Sequence, residues 1–257
     1  MSLELFDLTG KVAIVTGSGR GLGKAFAKGL ADAGARLVTC SRTLEESEST
    51  AQEIRDRGGE AFAMRVDTAV RADCQALVDQ AVERFGALDI MVCNAAIAVL
   101  KSAEETEEGE WNRVMDVDLK GYFNCAQLAA RQMMKQGTDG SIVMTSSNAS
   151  LVGFPGLLAY SVAKGGVDQM VRSMAVEWAS KGIRVNAFNP GYTENVQTGM
   201  VGEREDPWVQ DAIKKRTPMG RVGRVTEFVG PVVFLASDAS SFITGVVLPV
   251  DGGYCAM

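Results

Sequence analysis

The sequence contains no histidine, and that absence removes a body of chemistry. Imidazole is the side chain that titrates near neutral pH and the commonest protein ligand of transition metals. Acid–base work must therefore fall to Tyr, Lys, Asp, Glu or Cys, and no metal centre is expected. Cysteine is sparse as well. Cys40, Cys74, Cys93, Cys125 and Cys255 are odd in number, scattered, and never spaced as CxxC. They read as free, mostly buried thiols in a reducing compartment. No run of about 18 apolar residues is present and no charged-then-apolar leader opens the chain, so a cytoplasmic protein without a membrane partner is expected. Positive charge is in deficit: the formal net charge of −6 speaks against nucleic acid as a partner, which requires a basic face. No Pro- or Ser-rich linker interrupts the 257 residues, a length that suits one large α/β domain spanning 1–257 with a well-buried core.

What the sequence does have is glycine in one telling place. Val12–Thr16 is an apolar, β-branched run of the kind a buried parallel strand needs. Gly17, Gly19, Gly21 and Gly23 follow at once, and Lys24–Leu30 carries helix formers. Strand, glycine-rich turn and helix together aim free backbone N–H groups and a helix N-terminus at a phosphate. A β-carbon there would block both the tight turn and the approach of a pyrophosphate. Further apolar strands are expected at Arg36–Cys40, Ala61–Val66, Ile90–Asn94, Ser141–Ser146, Arg184–Asn189 and Val246–Val250, alternating with helical patterns. That alternation predicts a single doubly wound, Rossmann-type α/β domain with a mostly parallel sheet of about seven strands. Among the helices, Leu44–Arg57 is polar, and Cys74, Leu77, Val78, Ala81, Val82 and Phe85 share a face. Tyr122, Phe123, Ala126, Ala130 and Met133 line one side of Leu119–Gln136. The run Glu104, Glu105, Glu107, Glu108 and Glu110 reads as a solvated helix face.

The residue ending the second strand bears on the cofactor. In dinucleotide-binding folds an acid about 20 residues beyond the glycines takes the ribose hydroxyls of NAD, whereas an arginine accommodates the extra phosphate of NADP. Here Ser41 stands in the acid's place, Arg42 follows it, and Arg20 lies inside the turn. Two guanidiniums and no carboxylate favour NADP(H), with NAD(H) as the alternative. Gly17, Ser18, Arg20, Gly21, Leu22 and Gly23 are the turn residues expected around the cofactor. Asp67 suits either the adenine amino group or a helix N-cap. Asn94-Ala95-Ala96 offers small residues at a strand's C-terminal end, where open α/β sheets bind ligands.

Tyr160 and Lys164 lie four apart on a helix extending to about Ser180, so they share a face. An ammonium beside a phenol favours the phenolate and draws its pKa down from about 10 toward working pH, as a general acid–base tyrosine requires. Ser147, at the end of the fifth strand, is placed to donate a hydrogen bond to a carbonyl oxygen.

With these residues the chain resembles a short-chain dehydrogenase/reductase over nearly its whole length. The resemblance rests on Thr16-Gly17-x-x-x-Gly21-x-Gly23, Asn94-Ala95-Ala96, Ser147, Tyr160-x-x-x-Lys164 and Pro190-Gly191. It implies that Tyr160 is the proton donor or acceptor, that Lys164 also holds the nicotinamide ribose, and that Ser147 orients the substrate oxygen. It also implies that the backbone after Pro190-Gly191, near Tyr192 and Thr193, meets the carboxamide, and that the chain forms a homotetramer or homodimer. Two departures stand out. Cys93-Asn94-Ala95-Ala96 replaces the family's Asn-Asn-Ala-Gly. Asp118, in Val117-Asp118-Leu119, replaces its fourth catalytic residue, an asparagine that can hold a relay water. If Asp118 is ionised at about 6 Å from Lys164, the pair interacts by roughly 3 kcal/mol at an effective dielectric near 20.

Residues 192–216 show no strong periodicity and are expected to form an irregular substrate loop or lid. The expected activity is NADP(H)-dependent interconversion of a small secondary alcohol and ketone. A polyol or sugar acid competes as substrate with a 3-oxoacyl thioester, and a non-catalytic nucleotide-sensing regulator is the rival of another class.

Overall fold

The computed structural model describes residues 3–194 and 207–257. Its sheet holds strands β1 (Val12–Thr16), β2 (Arg36–Ser41), β3 (Ala61–Arg65), β4 (Ile90–Cys93), β5 (Gly140–Thr145), β6 (Ile183–Pro190) and β7 (Val247–Val250). They lie in the order β3-β2-β1-β4-β5-β6-β7, and every pairing is parallel. Parallel neighbours need crossovers, and helices supply them on both faces. The helices are α1 (Gly21–Asp32), α2 (Leu44–Asp56), α3 (Arg71–Phe85), α4 (Glu108–Met115), α5 (Gly121–Gln136), α6 (Leu158–Trp178), α7 (Pro207–Arg216) and α8 (Val229–Ala236).

The two-residue period of each strand divides the core into two layers. Val12 and Ile14 point into the layer formed by α3, α5 and α6. Ala13 and Val15 point into the layer formed by α1, α2 and α8. Because both faces are covered, all of β1 is buried, which is why its sequence reads as continuous apolar residues and not as an alternation. Strand order reverses between β1 and β4, and the chain leaves their C-terminal ends toward opposite faces, which opens the crevice where such sheets take ligands. Among the described residues no helix is long and apolar enough to cross a membrane.

Several local expectations are corrected. Helix α5 begins at Gly121, because a π-type turn, Asp116–Lys120, joins it to α4. Phe123 turns outward and is 40% exposed, whereas Tyr122 is buried; the extra residue of the π turn resets the buried face. The acidic run is not one helix face. Glu107 and Glu110 form a capping box that starts α4, and Glu110 also pairs with Lys101 at 2.7 Å. Residues 207–216, expected to be irregular, form α7; the rest of that loop, 195–206, lies outside the described residues.

Candidate active site

The glycine turn is built for close approach. Gly17 and Gly21 hold left-handed φ values of 66° and 54°, which L side chains rarely adopt. A Cβ on Gly17 would stand 2.8 Å from Ala95 Cα. One on Gly23 would overlap the Gly17 carbonyl oxygen. The turn is clipped to the next strand end by Asn94, whose side-chain amide donates to Thr16 O at 3.0 Å. In return Thr16 Oγ1 accepts from the Asn94 and Ala95 amides at 2.8 and 3.1 Å. Thr145 Oγ1 donates to Asn94 Oδ1 at 3.3 Å, so one asparagine links the ends of β1, β4 and β5.

A cavity of about 860 Å³ follows these strand ends. The glycine turn lines it with Gly17, Arg20, Gly21, Leu22 and Gly23, and the end of β2 contributes Ser41, with Arg42 just beyond it. Asp67, Asn94, Ala95, Ala96, Ser147, Tyr160, Lys164, Pro190, Gly191 and Thr193 continue the lining. Two expected site residues stand apart. Ser18 is fully buried, with its hydroxyl accepting from the Cys40 amide at 2.8 Å, so it fastens the turn to β2 instead of lining the cavity. Asp118 is also fully buried and behind the wall. Asp67 does not cap α3, whose N-cap is Val70; its carboxylate accepts from the Ala69 amide at 3.0 Å.

The lysine environment is the tightest part of the site. Lys164 is 1% exposed, and its ammonium donates to Tyr122 Oη and to Thr145 O, both at 2.9 Å. Asp118 Oδ2 lies 3.8 Å from it, closer than the sequence reading assumes, and no relay water is needed to couple them. At that distance the contact is an ion pair and not a hydrogen bond, which leaves Oδ2 without a hydrogen-bond partner. Oδ1 accepts from the Ile97 amide at 2.9 Å. Burial pushes the Asp118 carboxyl up to about 6, with the Lys164 charge opposing. Burial likewise lowers Lys164, against the pull of Asp118 and Asp168. The Lys164 nitrogen sits 5.5 Å from the Tyr160 ring centroid, so the phenol and ammonium are neighbours as their spacing requires.

A family model described as enoyl-(acyl carrier protein) reductase matches residues 17–255. Cis-4-hydroxycyclohexanecarboxylate dehydrogenase of Sinomonas cyclohexanicum is 40% identical, covering 96% of this chain and 97% of that protein. The chain belongs to the short-chain dehydrogenase/reductase family. Within it, 2-dehydro-3-deoxy-D-gluconate 5-dehydrogenase of Escherichia coli is 38% identical over the full length of both chains. A crystal structure of a gluconate 5-dehydrogenase from Burkholderia cenocepacia in complex with NADP and tartrate superposes with a TM-score of 0.94 at 39% identity, covering both chains completely.

Four features of the site are not reached from the sequence. Asn189 donates to Ser147 O at 2.9 Å and to Ser150 Oγ at 2.8 Å, fixing the turn that carries Ser147. The one available signal is an asparagine inside a buried strand. The helical pattern places Tyr122 in the core as an apolar ring and gives its hydroxyl no role. Glu46 lines the cavity beside Gly19, where a Cβ would meet Glu46 Cβ at 2.7 Å; a carboxylate therefore does accompany Arg20 and Arg42. Tyr254, near the C-terminus, stacks on Phe154 at 5.6 Å and meets Tyr192 edge-on at 5.8 Å. Phe154 and Tyr192 themselves line the cavity.

Proposed function

We propose that this protein is an NADP(H)-dependent dehydrogenase/reductase interconverting a secondary alcohol and a ketone on a small carboxylic acid. The observation that carries the reading is the convergence of Ser147, Tyr160 and Lys164 on one end of a cavity whose other end is a glycine turn flanked by arginines.

The residues present fit a nicotinamide dinucleotide. Gly17 and Gly23 let the turn pack directly on Ala95 and Asn94, where Cβ atoms would collide, and the turn so held lines the cavity ahead of α1, whose N-terminus favours a pyrophosphate. Arg20 and Arg42 would hold the 2′-phosphate, Asp67 the adenine, and Lys164 with the backbone around Pro190, Gly191 and Thr193 the nicotinamide nucleoside. When bound, the cofactor supplies or accepts the hydride exchanged with the carbinol carbon. Tyr160 takes the hydroxyl proton during oxidation and returns it to the oxygen during reduction. Lys164 stabilises the phenolate form of Tyr160. Ser147 Oγ accepts from the Ala149 amide at 3.1 Å and donates to Asn148 Oδ1 at 3.3 Å. That longer bond is the one a substrate oxygen can replace as acceptor of the serine proton.

The carboxylate is inferred from two guanidiniums. Arg113 and Arg216 line the same cavity, and neither has an ion-pair partner among the described residues. Guanidinium forks suit carboxylates. The relatives support the same class: their names specify a hydroxycyclohexanecarboxylate, a dehydrodeoxygluconate and a gluconate. A 3-oxoacyl thioester is the second reading, favoured by the family model's description; the net charge of −6 disfavours docking an acidic carrier.

The test is a spectrophotometric panel of hydroxy acids, their neutral methyl esters and a 3-oxoacyl thioester, each with both cofactors. The acids should exceed their esters at least ~10-fold in kcat/KM, the value of one charge-assisted contact of about 1.4 kcal/mol. Equal rates for acid and ester would exclude the guanidinium role, and preference for the thioester would establish the second reading.

Cofactor choice gives a separate expectation. Arg42→Ala should weaken NADP(H) binding about tenfold and leave NAD(H) within about twofold, since only the former carries the extra phosphate. Glu46→Gln should act in the opposite direction by removing a nearby like charge. Fluorescence titration of both cofactors against both variants measures this; a wild type that binds NAD(H) more tightly overturns it.

A further inference from the structure

Two tyrosines flank the Lys164 ammonium, and they are in opposite situations. Tyr160 lines the cavity. Tyr122 is 2% exposed, lies behind the cavity wall, and has its ring centroid 4.3 Å from the lysine nitrogen. Its hydroxyl donates to Thr145 O at 3.0 Å and accepts from Lys164 at 2.9 Å. The same Thr145 oxygen also accepts from Lys164. Lysine, phenol and carbonyl thus close a triangle in which each polar atom has a partner.

We propose that Tyr122 is a positioning residue for proton transfer: its hydroxyl, locked to Thr145, pins the Lys164 ammonium from the inner side and fixes its electrostatic effect on Tyr160. This rests on Tyr160 being the acid–base group. A lysine side chain has many rotamers to lose, so holding it at one point requires acceptors on the nitrogen. Asp118 supplies charge there but, at 3.8 Å, no hydrogen bond. Tyr122 supplies a hydrogen bond but no charge. Burial holds its phenol well above the usual tyrosine range, so it stays neutral while Tyr160 titrates.

The charged and titratable groups facing Lys164 are Asp118 from the π turn, Tyr122 from α5, Cys93 from β4, and Asp168 and Tyr160 from its own helix. Removing the Tyr122 hydroxyl deprives a dry ammonium of an acceptor, which favours the neutral amine and withdraws cationic support from the Tyr160 phenolate. Removing the Asp118 charge takes away an anion that opposes the phenolate and also one that sustains the Lys164 ammonium, so its two effects on Tyr160 oppose each other. Only the Tyr122 change therefore moves the titration of Tyr160 with a single sign, upward.

The experiment is the pH–rate profile of alcohol oxidation at saturating cofactor for wild type, Tyr122→Phe, Asp118→Asn and Tyr160→Phe. Tyr122→Phe keeps the ring and should move the rising limb about one pH unit higher, so that a fixed pH on that limb shows roughly a tenfold loss. Asp118→Asn, whose two effects offset, should move it less than Tyr122→Phe does. Tyr122→Met fills the space with a flexible chain that also lacks a hydroxyl; it carries the same expectation if the phenylalanine variant does not fold. A limb that stays in place, with only the rate reduced, would make Tyr122 a packing residue and overturn the proposal, as would a shift to lower pH. Retained turnover in Tyr160→Phe would instead overturn the functional reading. An inactive Tyr160→Phe beside an unshifted Tyr122→Phe would remove this inference alone.

Discussion

Tyr160→Phe should lower turnover by at least ~10²-fold, the minimum usually lost with one acid–base group, while NADP(H) still binds within about threefold of wild type. The change deletes one oxygen from a side chain that is 8% exposed, and the ring still fills its place against Ala163, Val114 and Leu157 in the surrounding cluster. The glycine turn, Arg42 and Asn94 are untouched, so affinity for the dinucleotide has no reason to fall. Without the phenol the proton has no donor at that position, because the chain lacks histidine and the other tyrosine beside Lys164 is sealed behind the wall. Stopped-flow assays on an accepted substrate, with fluorescence titration of the cofactor, separate chemistry from binding. Near-normal turnover would place the chemistry on another residue.

The second large effect is expected from a methyl group. Gly23 lies inside α1, where alanine would ordinarily be preferred over glycine by about 1 kcal/mol. Here its Cβ would overlap the Gly17 carbonyl oxygen and stand 2.6 Å from Asn94 Nδ2. Both obstacles are fixed, one as backbone and the other through the clip to Thr16 and Thr145. Gly23→Ala should therefore destabilise the fold by about 2–3 kcal/mol, in the range of an overpacked core, and weaken cofactor binding at least ~100-fold as the turn is pushed aside. Gly109→Ala is the control: it lies in α4, where an added methyl group would meet nothing within 4 Å, and it should be neutral or slightly stabilising. Thermal melts and cofactor titrations on both variants test the pair, and a Gly23→Ala variant that binds normally would refute the close-approach role of that glycine.

The fold was legible in the sequence because its strands are buried on both faces. Continuous apolar runs such as Val12–Thr16 and Ile90–Cys93 stand out from the amphipathic helices between them, and the glycine turn fixes where β1 ends. Tyr160 and Lys164 could be paired by helical spacing alone. What escaped depends on distance across the fold, which no local pattern carries. Tyr122 has the period of a core residue, and nothing in its neighbourhood of sequence announces that its hydroxyl meets a lysine 42 positions away. Ser18 sits in a cofactor motif yet turns inward to β2, because the turn must be fastened as well as open. Glu46 belongs to a polar helix by pattern and to the cavity by packing. The π turn at Asp116–Lys120 adds one residue to a helical repeat, and so carries the expected face of α5 past Phe123.

Asp118 also makes folding a proton-linked equilibrium. Its carboxyl titrates near the ordinary aspartate value of 3.8 when the chain is unfolded and at about 6 when folded, so between those limits the native state retains a proton that the denatured state releases. Stability falls with rising pH wherever the native state binds more protons. This contribution is therefore fully present below about pH 4, declines through the interval up to about 6, and is gone above it. Denaturant melts of wild type and Asp118→Asn across pH 4 to 7 isolate it, because the amide cannot titrate. The difference between the two proteins should move against the wild type over that interval and then level off. A difference that stays flat would mean that Asp118 titrates alike in both states. The carboxylate beside Lys164 thus couples the chemistry of the site to the acidity at which the chain holds together, and a neutral asparagine would leave the two independent.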